Sequence, residues 1–145
     1  MVDIPTLDIE DYDPDLNEDQ ETIEDKSGGA LTYAIVGAGQ GGGRIAKAFY
    51  DLGYTKTIAV NTARSDLNGL DIPAEQKFLV DEHGDQGAGK DQAKAEAAIE
   101  RKEQEVFNKF REVFGSNVDR ILICLGVSGG SGGGTVNTLI KVAKK

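Results

Sequence analysis

Cysteine is almost absent: Cys124 is the only one in 145 residues, so no disulfide framework can form, which fits a reducing compartment. It lies inside the apolar run Arg120-Ile-Leu-Ile-Cys-Leu125, where a thiol is a small buried side chain rather than a nucleophile. Histidine is equally scarce. His83 has no second metal ligand near it in sequence, so it reads as an ordinary loop residue, and no metal-ligating set is expected. No apolar stretch is long enough to span a membrane. The N-terminus lacks the positive charge of a secretory signal or a transit peptide, so a cytoplasmic protein is expected.

The formal net charge of −9 is unevenly placed. Residues 1–29 hold eleven acids and one lysine, a balance of −10, which leaves residues 30–145 with fourteen acids against fifteen bases. Ile4, Leu7, Ile9, Leu16 and Ile23 follow neither helical nor strand period, and Pro5 and Pro14 interrupt them. A disordered acidic tail over 1–29 is therefore expected ahead of a folded unit over 30–145. The tail promotes solubility and is a candidate docking strip for a basic protein partner. It would repel DNA, RNA and anionic lipid, so direct nucleic-acid binding is not expected.

Glycine is abundant, with 19 residues, and most of it is concentrated in two runs. GVSGGSGGGT, Gly126 to Thr135, follows the apolar segment 120–125, and GAGQGGG, Gly37 to Gly43, follows Thr32-Tyr-Ala-Ile-Val36. Ordering so many glycines costs conformational entropy, which is worthwhile where backbone must approach a ligand closely; N–H groups at a helix start suit phosphate. Linkers are not normally inserted between adjacent core elements, so these runs are not spacers.

The remaining pattern predicts strands near 32–36, 57–60, 77–80 and 120–125 and helices near 42–52, 92–114 and 135–145. Ile45, Ala48, Phe49 and Leu52 share one face of the first helix. Ile99, Val106, Phe110, Val113 and Phe114 form the stripe of the second. Strands alternating with helices imply βαβ units in an α/β, doubly wound, mostly parallel sheet. The continuous apolar run at 120–125 is typical of a strand covered on both faces. Because the final helix has barely three turns, the chain is expected to be the front portion of a larger domain, marginally stable and prone to associate.

Gly37, Gly39 and Gly42 satisfy the dinucleotide fingerprint G-x-G-x-x-G. The acid that would hold ribose hydroxyls is replaced by Val60-Asn61-Thr62, whereas Arg64 is placed to meet a 2′-phosphate, so an NADP-dependent oxidoreductase is one alternative. It leaves the richer second run unexplained. A Walker P-loop is excluded because neither run is followed by lysine.

Four segments in order, IVGAGQGGGRIAKAF at 35–49, AVNTARSDL at 59–67, GAGK at 87–90 and GVSGGSGGGTVNTLIKVAK at 126–144, resemble the N-terminal part of the tubulin/FtsZ GTPase domain. The last corresponds to that family's signature of a small residue, two glycines, threonine, glycine, a hydroxyl residue and glycine. It reads here Ser128-Gly129-Gly130-Ser131-Gly132-Gly133-Gly134, with serine for the threonine and glycine for the second hydroxyl residue.

The resemblance implies that the chain binds GTP or GDP, with Mg2+ as an accompanying ion. Gly39, Gln40, Gly41, Gly42 and Gly43 would face the α and β phosphates, and Gly87, Ala88, Gly89 and Lys90 would approach the γ-phosphate. Ser128 to Gly134 would wrap the phosphates, and Asn61 and Thr62 would hydrogen-bond the nucleotide. Arg44 stands near the nucleotide where FtsZ-like proteins have Asn, and Ala63 where they have Asp. Family members polymerise into filaments, hydrolyse GTP with acids on a later loop supplied by the next subunit, and read guanine with a later helix. Both features would follow Lys145, so this chain alone is expected to lack a catalytic residue and not to hydrolyse GTP. A nucleotide-binding adaptor that caps filaments is the non-enzymatic alternative.

Charge beyond about 8 Å is screened at physiological salt, so a −10 tail has no place against a polyphosphate. Truncation at Ser27 is expected to leave nucleotide affinity within a factor of about two in a titration at that salt.

Overall fold

The computed structural model describes residues 29–80, 88–89 and 91–145. The expectations for the tail over 1–28, for His83, Gly87 and Lys90 concern positions outside the described residues. In chain order the elements are β1 (Tyr33–Ala38), α1 (Gly39–Asp51), β2 (Thr57–Asn61) and a short α2 (Arg64–Asn68). A 3-10 turn (Ala74–Gln76) and β3 (Lys77–Leu79) follow, then α3 (Gln92–Arg101), α4 (Glu103–Phe114), β4 (Arg120–Leu125) and α5 (Gly130–Ala143).

The strands form one four-stranded sheet in the order β3-β2-β1-β4, and every neighbouring pair is parallel. The doubly wound parallel architecture expected from the sequence is therefore present. Ile35 in β1 aligns with Thr57 on one side and Leu122 on the other. β1 and β2 are apolar throughout their centres because both faces are covered: Ala34, Ile35, Val36, Ile58 and Ala59 are fully buried. Ala34, Val36, Ile58 and Val60 join Ile99, Val106, Phe110, Phe114, Leu139 and Val142 under α3, α4 and α5. Ala59 packs with Leu67 and Ile72 on the opposite face.

The sequence reading of α1 requires correction. Its buried residues are Gly39, Gly42, Gly43 and Ala46, while Ile45 and Leu52 are 45% and 59% exposed and Ala48 is exposed. The helix lies so close to the sheet that only small side chains fit beneath it, and they recur at i, i+3, i+4 and i+7. A Cβ at Gly42 would overlap the carbonyl oxygen of Cys124 in β4, and one at Gly37 would overlap that of Gly42. Both glycine runs also enter their helices earlier than expected, at Gly39 and Gly130 rather than near 42 and 135.

The expected single helix over 92–114 is two. Lys102 departs from helical geometry at φ −108° and ψ 14°, and its N–H bonds to Ile99 one residue short of the helical partner. The break lets Ala95, Ala98 and Ile99 of α3 be buried independently of Val106, Phe110 and Phe114 of α4. Val113 is only partly buried. Glu103 then accepts hydrogen bonds from Lys141 at 2.7 Å and Lys145 at 2.5 Å, tying the start of α4 to the end of α5.

β4 is not covered on both faces. It forms the sheet edge beyond β1; Ile121, Ile123 and Leu125 pack on the core, whereas Leu122 is 41% exposed. Cys124 is half-buried, and burial raises its thiol above the ordinary range, so it stays a protonated packing group.

Two outcomes follow from these contacts. Gly42→Ala is expected to cost more than about 2 kcal/mol in a urea melt, since the colliding atoms belong to backbone that cannot step aside. The hydrogen bonds from Lys141 and Lys145 hold Glu103 below its ordinary value of 4.5, so its contribution is present above that value and is lost as pH falls through the lower folded one. Glu103→Gln should accordingly lower Tm slightly at neutral pH and leave it unchanged once the carboxyl is protonated in acid.

Candidate functional site

β1 and β4 are adjacent and parallel, but β1 leads through α1 to one side of the sheet and β4 lies on the other. The crevice beyond their C-terminal ends is the switch point where open α/β sheets bind ligands. Both glycine runs open there. A cavity of about 320 Å3 lies between them, walled by the α1 start (Ala38 to Gly41), the α5 start (Ser128 to Gly132), Gly126 and Asp66.

The two helix starts touch through backbone. Gly39 has φ +73°, a conformation that side chains rarely adopt, and a Cβ there would also lie 2.9 Å from the amide nitrogen of Gly132. Gly132 in turn could hold no Cβ, since it would meet Gly126 O at 2.9 Å and Ala38 O at 3.1 Å. Neither α1 nor α5 has a side-chain cap or an acidic residue in its first turn. The first N–H groups of a helix have no intrahelical acceptor, so two positive helix ends converge on one cavity. No lysine or arginine among the described residues lines it. The positive charge that faces it therefore comes from backbone, and Asp66 is its one charged side chain among the described residues.

The glycines divide into two groups. Gly42, Gly132, Gly133 and Gly134 are required by packing; Gly133 abuts the side chain of Gln92, and Gly134 abuts its carbonyl and Ala95. That contact accounts for glycine at 133, where a side chain would displace Gln92 from the hydrogen bond its Nε2 donates to Val127 O at 2.8 Å. Gly41 and Gly126 face the opposite situation: a Cβ on either meets no protein atom within 4 Å, yet both line the cavity. Among the described residues no packing contact demands glycine at these two positions.

The other sequence-selected residues occupy distinct places. Gln40, Ser128, Gly129, Gly130 and Ser131 line the cavity, Gly43 is buried against Leu70, and Arg44 is exposed. Asn61 and Thr62 are 3% and 2% exposed and work within the protein. Asn61 Nδ2 donates to Asp66 at 3.1 Å and its Oδ1 accepts from the Ala63 amide at 3.1 Å. Thr62 Oγ1 accepts from the Ala88 amide at 2.9 Å and lies 2.5 Å from Ser131 Oγ. Gly89, at φ +56°, is exposed. Asp66 is the wall residue that sequence reasoning missed. Its signal was an acid one turn beyond the Asn-Thr pair, brought back to the cavity by α2.

A larger hollow of about 410 Å3 lies near the N-terminal end of β4, walled mainly by Phe107, Phe110, Phe114, Val118 and Val142. Arg111 and Lys145 also line it, but no helix start opens into it.

The GTPase-domain model of the tubulin/FtsZ family matches residues 32–145. Cell division protein FtsZ 1 of Pyrococcus abyssi is 34% identical over 115 residues, 77% of this chain and 29% of its own length. Among solved structures, the GDP-bound monomer of CetZ1 from Haloferax volcanii superposes with a TM-score of 0.70 at 31% identity, covering 77% of this chain and 37% of that one. The GTPγS-bound protofilament of CetZ2 from the same organism gives a TM-score of 0.67 at 27% identity, covering 77% and 35%. The chain thus spans about a third of the length of the curated relatives it matches. With the family match running from the residue before β1 through α5, the chain belongs to the tubulin/FtsZ family and comprises sequence of its GTPase domain.

Proposed function

We propose that this chain binds GTP and GDP, holds their phosphates on the converging starts of α1 and α5, and serves a filament-forming cytoskeletal protein of the cytoplasm. The observation that carries this reading is the pair of wall glycines, Gly41 and Gly126, whose missing side chains are explained by no protein contact. Phosphate oxygens need that closeness to reach backbone N–H groups. The GDP and GTPγS named with the CetZ1 and CetZ2 structures support a guanine nucleotide, and the CetZ2 protofilament supports assembly. No described helix is long and apolar enough to cross a membrane.

In this reading Gln40 and Gly41 donate from one side of the phosphates, and Gly130, Ser131 and Gly132 from the other. Mg2+, if it accompanies the nucleotide, would find in Asp66 a carboxylate on the cavity wall, already oriented by Asn61. Hydrolysis would draw on an acid from a neighbouring subunit, because the described wall offers phosphate donors and no further carboxylate. Family membership favours this reading over the NADP-dependent alternative. Arg64, which that alternative needs at the ribose, is exposed on α2 and does not line the cavity.

Titration of the full-length protein with GTP, GDP, ATP and NADPH tests the reading: guanine nucleotides should bind most tightly, and preference for NADPH would overturn it. Gly41→Ala separates binding from folding. Alanine is a better helix former than glycine by roughly 1 kcal/mol and meets no neighbour here, so stability should hold or rise. Nucleotide affinity should nevertheless fall by about tenfold or more, the scale of one lost charge-assisted hydrogen bond. A variant that binds like the wild type would show that the cavity wall is not the phosphate site.

A further inference from the structure

Thr62 follows directly on β2, outside the cavity, and its hydroxyl is buried. Its oxygen accepts the Ala88 amide at 2.9 Å and lies 2.5 Å from the Ser131 hydroxyl, across 69 residues of sequence. A hydroxyl carries one proton. If Ser131 donated to Thr62, the Thr62 proton would be left in a buried site where no other acceptor is found among the described residues. The satisfied arrangement is directional: Ala88 N–H donates to Thr62, and Thr62 O–H donates to Ser131. Ser131 has then accepted, and its own proton has no acceptor among the described residues. Ser131 lines the cavity.

We infer that Thr62 is a positioning residue that fixes Ser131 as a hydrogen-bond donor to the anion in the cavity. This rests on the phosphate-binding reading above. A free serine hydroxyl turns its lone pairs or its proton outward with little preference, and lone pairs repel a phosphate oxygen. Thr62 removes that choice by occupying an acceptor site of Ser131 from behind. It also holds the Ala88 amide, so one buried hydroxyl ties together the end of β2, the start of α5 and the backbone at 88. Its place directly after a fully buried strand makes it rigid.

The variants Thr62→Val, Thr62→Ser, Ser131→Ala and the double Thr62→Val/Ser131→Ala in the full-length protein provide the test, with GDP as the calorimetric probe and Tm recorded for each. Ser131→Ala should weaken GDP binding by about tenfold. Thr62→Val, similar in shape and unable to donate, should weaken it by a similar factor, and the double variant by no more than about twice the larger single effect. Thr62→Ser should restore affinity to within about threefold of wild type. A purely structural threonine would lower Tm without this pattern: wild-type affinity in Thr62→Val, or multiplicative losses in the double variant, would overturn the inference. Should Thr62→Val not fold, wild-type affinity in Ser131→Ala alone would overturn it. Absence of GDP binding by the wild-type protein would instead remove the phosphate reading itself, and the inference with it.

Discussion

The close approach of two helix starts, backbone against backbone, is the constraint on which the rest of the structure depends. Gly39 meets Gly132, Gly132 meets Gly126, and Gly42 meets the carbonyl of Cys124, all at separations that exclude a Cβ. These contacts draw α1 down onto β1 and β4, and bring the start of α5 to α1 above the sheet edge. The small-residue face of α1 follows from them, as does the outward aspect of Ile45 and Leu52. On the other side of α5, Gly133 and Gly134 permit equal closeness to α3. The cavity lies between the two starts.

In the proposed reading such a site attracts anions without cationic side chains. The partial positive charge at each helix start is modest alone, but two ends without caps, without first-turn acids and aimed at one cavity add their fields. The N–H donors are fixed by helical geometry before a ligand arrives, so little ordering is needed on binding. Around this backbone cradle, side chains act mainly on one another. Asn61 orients Asp66, Gln92 secures the loop at Val127, and Thr62 links residues 88 and 131. The chemistry at the wall is sparse, and its precision comes from the layer behind it.

Much of this was legible in the sequence, for reasons that depend on short range. Apolar runs such as Ala34-Ile-Val36 and Ile58-Ala-Val60 marked strands, and the order of strands, helices and glycine runs implied the doubly wound sheet, whereas the run at 120–125, read as covered on both faces, is an edge strand with Leu122 exposed. The family resemblance drew on the same ordered segments and is matched over 32–145. Side-chain hydrophobicity misled where backbone packing governed: Ile45 and Leu52 suggested the buried face of α1, but glycines and Ala46 occupy it. The break at Lys102 carries no proline or glycine and is set by tertiary demands on α3 and α4. Which glycines serve packing and which face the cavity depends on neighbours such as Gln92 and Cys124, distant in sequence. The Thr62 to Ser131 contact is of the same kind.

The central claim is that both helix starts bind one polyanion together. Amide chemical-shift mapping by NMR during a GDP titration of the full-length protein tests it most directly. The account predicts that amides at 39–41 and at 126–132 shift together, with a single saturation curve and the largest changes in the set. Shifts confined to one of these segments, or centred on the aromatic hollow around Phe107, would contradict it.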